Sequence, residues 1–575
     1  MAISARSESI AQRLLPIFGW LPSYRREWLL PDILAGVAVW AVMVPEGMAY
    51  SGIVGVPAIM GLYTIIPPLI VYAILGTSRV LVVGPDTATG LISALTVAAI
   101  AAQGTAAFNT YTSTLAILIG AFFLLFGALR MGWVAAFIPT PVMRGFIEGL
   151  VLVTIIGQVP HLLGINGTSG NFFDKLWFVL EQLPDVALAP ALTGLLSLAA
   201  MLLLRYLVPR IPAPLVVAVV AMILVGLLGG EAAGVSVVGH LPSGLPHFTP
   251  PLLDFGVLWE LAPGALAIVL IGYAEALGGA KAAVTQGDRD IDPNQELIAH
   301  GPANILSGLF GGFLVVGSLS KTSVAMAAGA RSQVANLVAA LLCFLTLIVL
   351  TPLFRGMPHP TLAAIVIAAM LHLSKPGYLR KVLAQTRSEF AIAAIVVAAE
   401  LTLGVFHGIA LGVVLSLLLL IYRTSHPHGS VLGQMPGTEA YRNIDRHPDA
   451  ITFPGLLIWR PGGELWFASI GHLGDGLKAA LAASSPPAKR VLVDGEAVNL
   501  IDVSACDALV NLIRELQSQG ITVAFARVRD HVRERMRRGG LEAIVGSANF
   551  YERVTDGVHA WQQHEAPDGR SSDKS

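Results

Sequence analysis

Apolar residues run in long blocks from about position 31 to about position 422, and charged residues are mostly confined to the gaps between them. Runs of roughly 17 to 25 apolar residues can cross a bilayer as helices. The blocks predict spans near 31–51, 59–76, 84–101, 112–129, 137–160, 188–208, 212–230, 261–281, 297–312, 318–330, 333–353, 360–374, 388–406 and 408–422. That makes about fourteen, several of them short or broken by Gly and Pro, as in membrane proteins with discontinuous helices. After Gln434 the pattern changes. Leu465-Trp466-Phe467, Val491-Leu492-Val493 and Ile521-Thr522-Val523-Ala524-Phe525 read as buried strands, and 504–518 and 530–538 read as helices. This alternation predicts an α/β domain with a largely covered sheet.

Composition sharpens the division. The chain has 575 residues, 36 Lys+Arg, 37 Asp+Glu and a net charge of -1; 55% of residues are hydrophobic and 13% charged. Soluble proteins carry about 25% charged residues, so a plain soluble enzyme, a basic nucleic-acid binder and a largely disordered chain are all excluded. Of the charged residues, 16 Lys+Arg and 18 Asp+Glu lie after Thr424, a density close to the soluble value. The predicted organisation is a cytoplasmic segment at 1–28, a transmembrane domain at 29–424, a cytoplasmic α/β domain at 425–565 and a disordered tail at 566–575. Arg6, Arg13, Arg25 and Arg26 precede no cleavable apolar run, so no signal peptide is read. With the N-terminus inside, the inner loops receive Arg130, Arg205, Arg210, Lys281, Arg289, Arg331, Lys375, Arg380, Lys381, Arg387 and Arg423. The outer loops receive only Lys175 and Arg355. This bias predicts an even number of spans with both termini cytoplasmic, in the plasma (inner) membrane. Cys343 and Cys506 supply neither a disulfide framework nor a Cys-based metal site, and the histidines show no ligand spacing.

One repeat stands out. Leu81-Val82-Val83-Gly84 recurs as Leu314-Val315-Val316-Gly317, and each copy precedes an Ala/Thr/Ser-rich stretch. The copies fall in the third and tenth predicted spans, an odd number apart, so they have opposite orientations, as in an inverted repeat. A short strand followed by a half-helix leaves backbone N–H groups unpaired at mid-membrane, which is tolerated only around a protein-lined cavity. Each helix N-terminus is worth about half a positive charge, so two facing each other suit an anion. Pro85 fits a first helical turn, Ser318 and Ser320 offer hydroxyls, and Lys321 adds a full charge too costly at mid-membrane to be ornamental.

These residues bring a resemblance into view. The pieces are Asp32-Ile33-Leu34-Ala35-Gly36, Val44-Pro45-Glu46-Gly47-Met48-Ala49-Tyr50, Gly61-Leu62-Tyr63, Gly76-Thr77-Ser78-Arg79 and Val83-Gly84-Pro85. Further on come Asp292-Pro293-Asn294-Gln295-Glu296-Leu297, Gly317-Ser318-Leu319-Ser320-Lys321-Thr322 and Ala328-Gly329-Ala330. From about Asp32 to Gly557 the chain resembles the SulP sulfate permease family, whose mammalian relatives are anion exchangers and channels. The resemblance implies an α-helical polytopic membrane protein with core and gate domains built as two inverted repeats of seven, a homodimer, and a cytoplasmic STAS domain. It also implies that the anion sits between the third and tenth helices, which makes Pro85, Asp86, Thr87, Ser318, Leu319, Ser320 and Lys321 the expected substrate site. Two departures matter: Glu46 stands where many relatives have Gln, and Lys321 where many have Arg, so the charge is kept without a guanidinium fork.

Intramembrane carboxylates are functional candidates. Glu46 follows Pro45 in the first span, and Glu275 in the eighth is its repeat counterpart. Similar bacterial family members are proton-coupled symporters with a glutamate in the first span, which implies that Glu46 carries the coupling proton; a structural pair of Glu46 with Lys321 is the alternative. In bicarbonate-transporting relatives an acidic residue of the eighth helix and nearby hydroxyls hold Na⁺. One turn after Glu275 stands Gly279, which has no hydroxyl, so proton coupling is preferred to sodium coupling. Asp86 begins the third-span half-helix and reads as an ordinary N-cap. Ser504, in Asp502-Val503-Ser504-Ala505, stands where anti-sigma-factor antagonists carry a phosphorylated Ser; the Ser504-x-x-Asp507 spacing also reads as a helix N-cap, and capping is preferred.

The expectation is a non-enzymatic secondary transporter, with no metal or cofactor beyond a proton gradient, moving sulfate or a similar oxyanion or dicarboxylate. Co-binding of a proton at Glu46 favours such a dianion, whereas an ionised Glu46 suits bicarbonate or chloride. Na⁺-dependent bicarbonate uptake or anion exchange is the second reading, and a membrane-anchored STAS signalling receptor with a regulatory protein partner the third.

Overall fold

The computed structural model describes residues 15–565 apart from 138, 166, 168–169, 209–211, 240, 243, 253 and 285–289. Arg6, Arg13, Arg210, Arg289 and the tail at 566–575 lie outside the described residues. The chain forms two compact units, Met1–Ser416 and Leu417–Ser575, which divide within the last apolar helix, Val405–Ser425.

A helix stands at each of the fourteen apolar segments, thirteen of them within the first unit and the last running across the division. Among the described residues, eight helices are long and apolar enough to cross a membrane, from Arg26–Val54 to His359–Gln385. Their starts follow capping chemistry. Asp254 accepts from the N–H groups of Gly256 and Val257 at the head of Phe255–Ala282. Asp292 does the same for Asn294 and Gln295 before Pro293–Leu309, with Pro in the first turn. The first span, Leu29–Val54, stops at Gly55, whose φ of 86° is the left-handed conformation that glycine adopts without penalty. Two further helices, Phe172–Gln182 and Pro376–Gln385, occupy stretches predicted as loops.

The repeat is two strands, β1 (Val82–Gly84) and β2 (Val316–Ser318), paired antiparallel with Val83 opposite Gly317. Each runs into a short helix, Thr87–Ala98 and Leu319–Ala327. A sheet of two strands leaves backbone groups that the interior must satisfy, and side chains do so. Thr322 Oγ1 accepts from Val82 N at 3.0 Å; Asn336 Nδ2 and Gln333 Nε2 donate to Leu81 O at 2.8 and 3.1 Å. Asn304 accepts from Val315 N and donates to Val315 O, both at 2.8 Å. Gly317 is glycine for lack of room: a Cβ there would lie 2.9 Å from Ala276 Cβ and 3.0 Å from its Cα.

The second unit carries a six-stranded sheet of β3 (Ser430–Gln434), β4 (Tyr441–Asn443), β5 (Leu456–Arg460), β6 (Arg490–Asp494), β7 (Thr522–Ala526) and β8 (Phe550–Tyr551). Its order is β4-β3-β5-β6-β7-β8, with β5 to β8 parallel and β3 antiparallel to both neighbours. Alternate residues feed two cores, Leu457, Trp459, Val491, Val493, Val523 and Phe525 on one face, Ile458, Leu492 and Ala524 with Val558 and Trp561 on the other. The strand predicted at Leu465-Trp466-Phe467 is corrected: only Leu465 bridges, to Ile501, and Trp466 leads through a turn into the helix Ile470–Ala482. Ser504 as N-cap is also corrected. Asp502 caps Val503–Ser518 by accepting from Ala505 N at 2.7 Å, and Ser504 lies exposed in the first turn.

Candidate functional site

Lys321 organises the site. It sits in the first turn of Leu319–Ala327 and its side chain is 1% exposed. Its ammonium donates to Pro85 O at 2.9 Å, lies 3.2 Å from Glu46 Oε2, and stands over the Tyr50 ring at 4.9 Å from the centroid. Pro85 and Asp86 lie between β1 and the first half-helix, so this bond adds to the β1–β2 pairing in tying the two repeat copies together. Glu46 Oε2 attracts the ammonium but makes no hydrogen bond, so it is a buried acceptor held by charge alone. The pairing of Glu46 with Lys321 is therefore present.

The two half-helix ends differ. Asp86 caps the first, its Oδ2 accepting from Ala88 N at 2.9 Å, Thr89 N at 3.2 Å and Thr89 Oγ1 at 3.2 Å. This end is already occupied by a carboxylate of the chain itself. At the second end Ser318 is the N-cap residue but gives no side-chain cap; its hydroxyl shares a 3.1 Å bond with that of Ser320. Thr322 Oγ1, donating to Ser318 O at 2.6 Å, holds that turn against β1. Leu319 and Ser320 are exposed, whereas Pro85, Asp86, Thr87 and Ser318 are buried. Among the described residues, uncapped N–H groups, two hydroxyls and an ammonium, a set that suits an anion, come together at the second end.

Glu275, in Phe255–Ala282, is half-buried, and Asp86 and Lys321 are the charges that act on it. Glu46, Asp86 and Glu275 all act on Tyr50. Three carboxylates thus share one electrostatic neighbourhood with a single ammonium. Ser504 belongs to the other unit.

Sequence patterning does not single out Tyr50, although its place one helical turn after Glu46 is the signal that both face the same neighbour. Asp32 and Glu296 were visible only as motif members. Asp32 accepts from Arg331 N and Ser332 N at 2.7 and 3.1 Å and from Ser332 Oγ at 2.6 Å. Glu296 accepts from Tyr72 Oη, Thr77 N and Thr77 Oγ1. Both brace loops flanking the strands, and their partners lie hundreds of residues away. Glu400 went unremarked within an apolar span.

A pair of broken helices, one with an open N-terminus beside a buried ammonium, inside a polytopic helical protein, is the architecture of a membrane transport protein with an anion-suited site. The sequence comparisons agree. Residues 29–396 match the sulfate permease family and residues 447–557 the STAS domain. A probable sulfate transporter of Mycobacterium tuberculosis is 32% identical over 551 residues, covering 95% of this chain and 98% of that one. The chloroplastic sulfate transporter 4.1 of Arabidopsis thaliana is 30% identical over 572 residues, covering 96% and 83%. The murine anion transporter Slc26a9, solved in an inward-facing state, superimposes with a TM-score of 0.88 at 23% identity, over 98% of this chain and 96% of that one. The chain belongs to the sulfate permease family and carries a C-terminal STAS domain.

Proposed function

We propose that the protein is a secondary active transporter that carries sulfate, or a similar oxyanion or dicarboxylate, across the plasma membrane together with a proton. The observation that carries the reading is the buried Lys321–Glu46 pair at 3.2 Å. While Glu46 is ionised it spends the charge of Lys321. A proton on Glu46 releases that charge to an anion at the uncapped end of Leu319–Ala327, where the Leu319 and Ser320 N–H groups and the Ser318 and Ser320 hydroxyls complete the cradle. Proton and anion then bind cooperatively, each raising the affinity for the other by the same factor. The names of the mycobacterial and plant relatives support sulfate. The repeat containing the site would move against the remaining helices to open it to alternate sides. The chain would work as a homodimer with both termini cytoplasmic, its STAS domain available to a regulatory protein and Ser504 exposed for phosphorylation.

The test is uptake of radiolabelled sulfate, fumarate and bicarbonate into proteoliposomes, with and without pH or Na⁺ gradients. Sulfate uptake driven by an inward proton gradient and indifferent to Na⁺ is expected, and Glu46→Gln should abolish anion-driven proton uptake. Intact coupling in Glu46→Gln rules the assignment out. Na⁺-driven bicarbonate uptake would replace it with the second reading, and binding without flux would point to a receptor.

A further inference from the structure

Among the described residues outside this site, one carboxyl group is buried with no hydrogen bond to either oxygen. Glu400, in the helix Arg387–Leu403, is 1% exposed, and neither carboxyl oxygen has a hydrogen-bond partner. The surrounding backbone makes room for it. Gly145 and Gly149 of Thr140–Leu163 have the four-residue spacing that brings membrane helices close. A Cβ on Gly145 would lie 2.6 Å from Ala393 O, and one on Gly149 would lie 2.1 Å from Glu400 Oε2. A Cβ on Gly408, at the start of the last apolar helix, would lie 2.2 Å from Glu400 Cγ. Two glycines on two helices clear space for a side chain that repays neither with a bond.

Among the described residues, the charged groups of the packed elements make no hydrogen bond to it. Thr140–Leu163 carries Arg144, Glu148 and His161; Arg144 lies over the Tyr378 ring and Glu148 accepts from Ser374 Oγ and Lys375 N. Pro376–Gln385 carries Tyr378, Arg380 and Lys381; Phe172–Gln182 carries Asp174, Lys175 and Glu181; Val405–Ser425 carries His407, Tyr422 and Arg423; its own helix carries Arg387 and Glu389. Among the described residues, none of these groups hydrogen-bonds either oxygen of Glu400. An apolar residue would pack there without cost, whereas an isolated ionised carboxylate is not tolerated in a dry interior.

We propose that Glu400 is a second proton-binding site, apart from the anion site, occupied in this conformation and emptied in one that lets water reach it. This rests on the reading of the protein as a transporter with moving parts. A proton held in one conformation and released in another shifts their balance by up to about tenfold per pH unit. Acid favours the present conformation and alkali the open one.

The test uses the full chain in liposomes, with Glu400→Gln, the neutral isostere of the protonated acid, and Glu400→Met as a second variant. In infrared spectra at neutral pH, the carbonyl band of a protonated carboxyl should vanish in both variants and persist in Glu46→Gln. In sulfate uptake, both should flatten the pH profile of the rate while keeping anion-driven proton uptake. A band or a pH profile that survives Glu400→Gln overturns the proposal, as does a Gln variant that fails to fold, since the fold would then need the ionised form. Lost coupling in Glu400→Gln would overturn the separation of the two sites, whereas intact coupling in Glu46→Gln strikes only the earlier reading.

Discussion

Replacing Lys321 by Met keeps length and bulk but removes the cation paired with Glu46. At 3.2 Å the pair attracts by about 5 kcal/mol at an effective dielectric constant of about 20. Much of that offsets the cost of burying both ions, so the pair as a whole contributes far less. Losing one partner is a different matter. Glu46 is then left buried without its cation. Broken buried pairs in general cost about 3–5 kcal/mol. Lys321→Met should therefore be destabilised by about that much, while Lys321→Met with Glu46→Gln should sit within about 1 kcal/mol of the parent, giving a coupling energy near 3 kcal/mol. The assay is denaturant unfolding in nanodiscs followed by tryptophan fluorescence. Additive single-variant effects would refute the claim that Lys321 and Glu46 neutralise each other.

Three further outcomes follow from named contacts. Gly61→Ala would place a Cβ 2.0 Å from Gly47 O, backbone against backbone, so it should cost at least about 3 kcal/mol and yield little monodisperse protein on size exclusion. Thr322→Val deprives Val82 N and Ser318 O of their partner and should cost about 1–3 kcal/mol with loss of sulfate uptake, while Thr322→Ser restores both. The Cys506 thiol is buried, and burial with nearby Asp507 pushes its pKa up, so maleimide labelling of the folded protein should stay slow until well above the pH at which a free thiol ionises.

Much of the site was legible because its signals are local. Two β-branched tetrapeptides ending in Gly, a lysine where apolar residues belong and a glutamate after a mid-span proline all lie in short windows. Parallel strands at Val491-Leu492-Val493 and around Val523 were legible for the same reason. What was missed has other causes. The strand Leu456–Arg460 is bounded by Pro454-Gly455 and Pro461-Gly462-Gly463, turn signals that mark it better than the apolar triplet Leu465-Trp466-Phe467, which is used up by a bridge and a turn. Ser504 lost the cap to Asp502 because the extended chain at Ile501 sets where the helix begins, and both residues satisfy the capping pattern. Asp32, Glu296 and Glu400 depend on partners, or on a lack of partners, that only tertiary packing decides.

The difference between the two half-helix ends changes the electrostatics of the symmetric picture that the repeat suggests. Two helix ends and Lys321 supply about two positive charges. Against them stand Glu46, Asp86 and Glu275, three carboxylates in the same neighbourhood. Were all three ionised, the site would be repulsive to any anion. Asp86 is the least available for change, because its carboxylate accepts from Ala88 N and Thr89 N and so holds the first half-helix in place. Glu46 is paired through Oε2 with Lys321, and Asp86 and Lys321 are the charges that act on Glu275. On the proposed reading, a proton taken up at the site lets the anion bind, and the uncapped end of Leu319–Ala327 is where the charge of Lys321 would become available to it.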